Sequence, residues 1–465
     1  MIFNESRAGN RNDGILSRMN LNATDAASTE PKQQAGFIRD KMPAGGLFLD
    51  QEWRISPTPF PLGAGLAREI ESLGRVLLQF YKAVNLLYRQ SVNGKMPGWV
   101  ANWLDQGKPA RLIEWQRSAA FKNDVPRVIR PDLLLTENGL IVTELDSVPG
   151  GIGLTGWLNQ TYSSLPKAAT VMGGADGMIQ GFAGIFGASP RVHVVISEEA
   201  ASYRPEMEWL CRQLPGDRFA VRDGRFTDFQ DGDAVYRFFE LFDLANVASA
   251  EEIFTRANEK RLFVTPPPKP VFEEKLCLAL LWNRNLISFW RQELGDGFFK
   301  RLQRHVPYTW VVDPTPLPPH GAIPELNITD WQQLKTYSQR ERDLILKISG
   351  YSEKAWGARG VYLGSDLSQA DWSAAVDEAL AAFGRSPYIL QRFQKTKLVE
   401  FAWYDFDREE LTPMNGRARL CPYYFVHGEG DAARPHLGGV LATVCPEDKK
   451  IIHGMRDAIL APCAE

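Results

Sequence analysis

The stretch from Arg130 to Gly151 constrains this chain more than any other. It reads Arg-Pro-Asp, an apolar run, Thr-Glu-Asn-Gly, a second apolar run, Glu-Leu-Asp, and then Ser-Val-Pro-Gly-Gly. Asn-Gly between two β-prone runs predicts a tight hairpin centred on Asn138-Gly139. Strand alternation points Glu144 and Asp146 to one face, and the hairpin folds Asp132 back toward them. Carboxylates gathered in this way suit a hard cation such as magnesium, which takes one or two of them and completes its shell with phosphate oxygens and water. The same pattern also describes an ordinary hairpin with solvated acids, so other segments have to decide between the two.

With 465 residues and 44% hydrophobic content the chain can bury a large core, and its length predicts two or three domains. Lys and Arg total 53 against 56 Asp and Glu, a net charge of −3, which gives no basic field for nucleic acid or an anionic membrane. The longest apolar runs, such as that from Cys277 to Trp282, fall far short of the roughly 20 residues of a membrane span. The five cysteines form no Cys-x-x-Cys pair, which argues against a disulfide framework or a zinc site and fits a reducing, cytoplasmic setting.

Residues 1–40 lack a signal pattern and read as a disordered lead. A helical preface follows, with apolar positions at helical spacing from Gly65 to Arg89 and a second helix over Val100 to Leu104. Together with the hairpin and its Gly-rich turn, the preface occupies residues 41–188. The β-branched run Arg191 to Ser197 passes into a helix, and further strand-like runs begin at Phe219 and Asp233, so residues 189–268 read as a small doubly wound lobe. His193 is read as a satisfied core histidine within a strand. The Pro266 to Pro270 segment is a stiff connector and the clearest boundary, opening a unit over 269–465.

That last unit carries a second constellation. Lys347 ends an apolar strand and is followed by Gly350, Gly357 and Gly360 with Lys354 and Arg359, the composition of a flap able to close over phosphates. Three glycines in eleven residues also describe a solvated turn. The strand Tyr388 to Phe393 ends in polar residues, and its end could pair with an adenine edge or belong to a plain core strand. Arg417 and Arg419, two apart on a probable strand, could face the same site and equally read as surface arginines. His427, His436 and His453 lack metal-binding spacing.

Taken together, these segments resemble the ATP-grasp superfamily: an early lysine at Lys275, a Pro and Thr turn at Val306 to Thr309, Lys347, the flap to Gly360, and the hinge Gln391-Arg392-Phe393. The family's closing element, Arg-x-Asp, a hairpin, Glu-x-Asn and Pro-Gly, stands first here, at Arg130, Asp132, Glu144, Asp146 and Pro149 to Gly151. The order resembles that of eukaryotic glutathione synthetase and glutathionylspermidine-synthase-like proteins. The fold implied is α/β, a circularly permuted ATP-grasp fold with a small doubly wound lobe and a helical N-terminal preface.

The resemblance implies an ATP-dependent ligase that joins a small carboxylate to an amine through an acyl phosphate, with ATP and magnesium as cofactors and no nucleic-acid or membrane partner. Its oligomeric state stays open. A regulatory ATP-binding protein or a kinase of the same fold is the alternative. Asp132, Glu144 and Asp146 are then the metal ligands, Arg130 steadies the transferred phosphoryl group, and Lys347 meets the phosphates. Lys275 is the early phosphate-side lysine, a place that Lys269 contests. Gln391, Arg392 and Phe393 form the adenine hinge, and Gly357 to Gly360 with Arg359 form the lid. Asp146 departs from the family's usual asparagine.

Overall fold

Short runs of alternating or continuous apolar residues build sixteen strands among the described residues, which in this computed structural model are 30–50, 52–166, 169–355, 359–452 and 454–465. The calls on Gly357 and His453, and the part of the lead over residues 1–29, lie outside these residues. In chain order the first strands are β1 (Arg54–Ile55), β2 (Phe60–Pro61), β3 (Val128–Thr136) and β4 (Gly139–Asp146). Next come β5 (Val192–Ile196), β6 (Phe219–Asp223), β7 (Ala234–Phe238) and β8 (Phe263–Thr265). The rest are β9 (Thr309–Val311), β10 (Leu344–Ile348), β11 (Val361–Leu363), β12 (Tyr388–Arg392), β13 (Leu398–Asp405), β14 (Glu410–His427), β15 (Arg434–Pro446) and β16 (Ile459–Ala464).

They make three sheets. The largest runs β1-β16-β15-β14-β3-β4, with β13 paired to β14 and β2 to β16. The second, β6-β5-β7-β8, is parallel throughout, and its central strands β5 and β7 are buried along their whole length, as strands covered on both faces must be. The third, β11-β10-β12-β9, is antiparallel. The chain is therefore mixed α/β. No helix among the described residues is long and apolar enough to cross a membrane.

The predicted first helix spans Ala64–Val92 and buries Ile70, Leu73, Leu77, Phe80, Val84 and Leu87 at three- and four-residue spacing. It packs on β3 and β15. Residues 30–40, expected to belong to a disordered lead, are instead helical. Ala35 and Ile38 on that helix are fully buried, and such burial offsets the entropy of ordering the segment. The Pro266 to Pro270 connector is buried, and Lys269 within it donates to Asn85 Oδ1 and to the Asp124 carbonyl, each at 2.9 Å.

The hairpin forms where predicted, but its turn sits one residue earlier. Thr136 pairs with Gly139, so Glu137 and Asn138 make the loop, and Gly139 takes the positive φ of 105°. The Thr136 hydroxyl accounts for the shift, because it donates to the Gly139 carbonyl at 2.8 Å and accepts from the Asn138 N–H at 3.2 Å. A second irregularity matters more for the site. Leu133 lies opposite Val142, yet Asp132 lies opposite Glu144, so Thr143 is an extra residue in β4. Without this bulge Asp132 would face Thr143, and Glu144 would point away from it. With it, Arg130, Asp132, Glu144 and Asp146 share one face.

Candidate active site

That face forms one wall of a cavity of about 590 Å³, a volume in the range of small-molecule sites. The third sheet supplies a second wall through Ile345, Lys347, Val361 and Gln391, and the parallel sheet a third through residues following the carboxyl ends of β5 and β7. Lys275 reaches the cavity from the start of the helix Leu276–Trp282.

Three of the four cations Arg130, Lys275, Lys347 and Arg419 have carboxylate partners. Arg130 Nη2 lies 2.8 Å from Asp146 Oδ2 and 3.2 Å from Asp132 Oδ1, and Arg419 Nη1 lies 3.2 Å from Asp132 Oδ2. Lys275 Nζ lies 2.7 Å from Glu144 Oε1. Lys347 Nζ donates to Gln391 Oε1 at 3.0 Å and to the Thr143 carbonyl, that of the bulged residue, at 3.2 Å. The Gln391 amide in turn donates to Thr309 Oγ1 at 3.0 Å.

Burial works against every one of these cations, and the outcome differs between them. For Arg130 and Arg419 desolvation is outweighed by the carboxylates, Asp132 foremost, which hold both guanidinium groups above their ordinary range. Lys275 is likewise raised, because Glu144 overcomes its desolvation. Lys347 has no such contact partner, and burial lowers it to about 8. Asp146 is raised, since burial outweighs Arg130. Arg130 Nε and Arg419 Nε are buried without a hydrogen-bond partner among the described residues, leaving donor capacity for an anion.

Of the remaining predicted residues, Arg359 lines the cavity but is largely exposed, 3.5 Å from Glu199 Oε1. Arg392 and Phe393 also line it, and the Arg392 guanidinium donates to the Glu325 carbonyl at 3.0 Å. Gly360 stands against β10, where a Cβ would meet Ile348 Cγ2 at 2.8 Å. Of the two contesting lysines Lys275 lines the cavity, whereas Lys269 is held by Asn85 and Asp124 and does not line it, and burial lowers it to about 7. Arg417 is tied to Thr396 and Glu447, so of the two arginines only Arg419 lines the cavity. His193 is a core residue bonded to Asp233 at 3.1 Å.

The three acids do not form a ready cage. Among the described residues no group of three His, Cys, Asp or Glu side chains stands placed to hold a metal ion. The predicted set of Asp132, Glu144 and Asp146 shares a face, but Asp132 and Asp146 are tied up by the arginines. The donor chemistry still fits magnesium carried in with phosphate oxygens, which needs only one or two carboxylates. All three acids line the cavity, and Glu144, with its side chain 37% exposed, is the most open of them.

Sequence reading missed two further residues. Tyr423 donates to the Gly150 carbonyl at 2.7 Å. Glu206, fully buried, accepts the Gly151 and Leu154 N–H groups at 2.7 and 2.8 Å, fixing the Gly-rich turn and the start of the helix Ile152–Ser163. Desolvation raises its carboxyl to about 7 despite those bonds. The available signal was its position four residues before Leu210, on the apolar face of the helix Arg204–Gln213.

The assembled site is thus a cleft between three sheets, with lysines and arginines facing carboxylates. A glutathione synthetase-like effector from Globodera pallida, in its apo form, has a similar fold: 93% of this chain and 96% of that one align with 10% identity and a TM-score of 0.52. A protein from Methylobacillus flagellatus KT with the provisional name gamma-glutamylcysteine synthetase aligns over 82% of this chain and 87% of its own, with 12% identity and a TM-score of 0.38, too low to weigh. No protein-family model and no curated protein matches the sequence.

Proposed function

We propose that the chain is an ATP-dependent carboxylate–amine ligase with a circularly permuted ATP-grasp core, resembling glutathione synthetase and acting on a small carboxylate and an amine. One observation carries this reading. Arg130, Lys275, Lys347 and Arg419, from four separate segments, meet the carboxylates Asp132, Glu144 and Asp146 around a single cavity. The likeness in fold to a glutathione synthetase-like effector supports it.

In such a reaction a carboxylate oxygen attacks the γ-phosphorus of ATP, ADP leaves, an amine then attacks the acyl carbon, and phosphate departs as the amine loses a proton. Magnesium, when bound, offsets the repulsion between the two anions. The chain's own part is placement and charge. Lys347, braced by Gln391 and Thr143, would meet the nucleotide phosphates, Lys275 would pair with a phosphate, and Glu144 would be the carboxylate that holds the metal. Arg130 and Arg419 offer their remaining donors to the transferring phosphoryl group. Burial of the cleft excludes the water that would hydrolyse an acyl phosphate.

One observation favours a second reading, a nucleotide-binding protein without turnover. Asp146, where the resembled family carries asparagine, is locked to Arg130 and accepts the Val148 N–H at 2.9 Å. Incubating the protein with ATP, magnesium and a panel of amino acids and amines separates the readings. Amine-dependent release of ADP and phosphate supports the ligase. Tight ATP binding with no ADP selects the second reading, and amine-independent ADP with a phosphorylated product selects a kinase.

A further inference from the structure

Lys108 stands in the turn between the helices Gly98–Asp105 and Ala110–Arg117 of the helical preface. Its Nζ lies 2.5 Å from Glu274 Oε1, and both side chains are 1% exposed. The other oxygen, Glu274 Oε2, accepts the Ser349 hydroxyl proton. Ser349 Oγ in turn accepts the Leu276 N–H at 2.8 Å, and the Ser349 carbonyl accepts the Lys275 N–H at 2.9 Å. Three side chains from three segments thus close one network, and all three residues are buried.

The network ties down the neighbours of both cavity lysines. Glu274 immediately precedes Lys275, and Ser349 lies two residues after Lys347, just past the end of β10. It is packed without slack. A Cβ on Gly350 would overlap the Glu273 carbonyl, and one on Gly107, at a φ of 72°, would overlap the carbonyl of Arg385, just before β12 in the sheet of Lys347. Lys108 Nζ also lies 5.7 Å from the centre of the Tyr351 ring, within reach of a cation–π contact.

A buried ion pair adds little net stability over apolar residues of similar volume, because desolvation consumes most of the attraction. What it does supply is geometry, since its hydrogen bonds hold only over a narrow range of distance and angle. Here that geometry concerns two ammonium groups that line one cavity and repel each other.

We propose that Lys108, Glu274 and Ser349 are positioning residues that brace Lys275 against Lys347, set the spacing of the two ammonium groups, and tie the helical preface to the cation site. The brace rests on the reading of those two lysines as phosphate ligands.

The test uses the full chain and two variants: Ser349→Ala, and the pair Lys108→Met with Glu274→Leu, which removes both buried charges together. The melting temperature, the affinity for ATP with magnesium by isothermal titration, and the titration of Lys347 by NMR of isotope-labelled lysine are measured on each. The double variant is expected to melt no lower than the parent, as apolar replacement of a buried pair allows, yet to bind ATP about tenfold more weakly. Lys347 is lowered by burial and by Lys275, and raised by Glu144 and Asp132. In both variants it is expected to titrate higher than in the parent, because loosening relieves the burial first and the repulsion second. A loss of stability alone, with ATP affinity and Lys347 titration as in the parent, overturns the brace, and so does an unmoved Lys347 titration whatever the affinity. If the double variant does not fold, Ser349→Ala decides by the same two readings. A raised Lys347 titration in a protein that ATP never stabilises upholds the brace and overturns the nucleotide reading instead.

Discussion

Lys275 Nζ lies 2.7 Å from Glu144 Oε1, so the start of the helix Leu276–Trp282 and strand β4 are joined by a pair of opposite charges at the cavity wall. In the proposed ligase a nucleotide with its metal would offer each another partner, and binding would exchange ion pairs rather than bury new charge. Glu144→Ala and Lys347→Ala are therefore expected to abolish stabilisation by ATP and magnesium while each protein stays folded. Glu144→Ala is also expected to lower apo stability by roughly 1–3 kcal/mol, because it strands a buried lysine beside a partly exposed position. Thermal melts with and without nucleotide check both; an undiminished shift in either variant places the phosphate site elsewhere.

Lys347 sets a pH limit of its own. Burial lowers its ammonium to about 8, so in the role proposed for it Lys347 would meet phosphate above that pH as a neutral amine. Nucleotide affinity is expected to decline from about pH 8 upward, approaching roughly tenfold per unit. The stability term runs the other way: the unfolded lysine keeps its proton up to about 10.4, so folding is relieved of a buried charge as pH rises through that window. Isothermal titration from pH 7 to 10 reads the first effect, and a flat affinity profile rules out the role given to this residue.

Asp132 stands between Arg130 and Arg419, at 3.2 Å from each, and both arginine side chains are largely buried. Asp132→Ala would leave two guanidinium groups short of counter-charge, a loss expected to cost about 3–5 kcal/mol. Asp132→Ala with Arg419→Ala should recover part of it, since removing a charge together with its partner costs less than stranding it. Urea denaturation of the single and double variants gives the comparison; a single-variant loss below about 1 kcal/mol would show that the two arginines do not depend on this carboxylate.

Much of the site was legible because its residues sit on short strands whose alternation fixes a face. Arg130 with Asp132, Glu144 with Asp146, and Lys347 all follow from period-two spacing, and the early turn moves the loop by a single residue. What alternation does not contain is register. The extra residue at Thr143 swings Glu144 and Asp146 to the side of Asp132 and frees the carbonyl that braces Lys347, and neither effect has a local sequence mark. The choices between Lys269 and Lys275, and between Arg417 and Arg419, were likewise tertiary: each pair has the same chemistry and differs only in which element lies opposite. Glu274 and Glu206 resemble solvated acids until the sheets are assembled around them.

Glu206 gives the fold a carboxylate whose pH effect has the reverse of the usual sign. Its folded-state value is raised from 4.5 to about 7, chiefly by desolvation, against the pull of the Leu154, Gly151 and Gly153 amides and of Arg130. The folded protein therefore binds this proton more tightly than the unfolded chain does. The stabilising term is fully present below about pH 4.5 and is lost as pH rises through 7, an amount on the order of 3 kcal/mol at full burial. The carbonyl of Gly150, next to the amide that Glu206 holds, receives Tyr423 at 2.7 Å and Arg130 at 3.4 Å. Urea midpoints measured from pH 4.5 to 8 are expected to fall with this slope in the parent. Glu206→Gln, though less stable at every pH because its amide offers Leu154 a donor in place of an acceptor, is expected to lose that component; an identical pH profile in the two proteins would mean that Glu206 stays ionised within the fold.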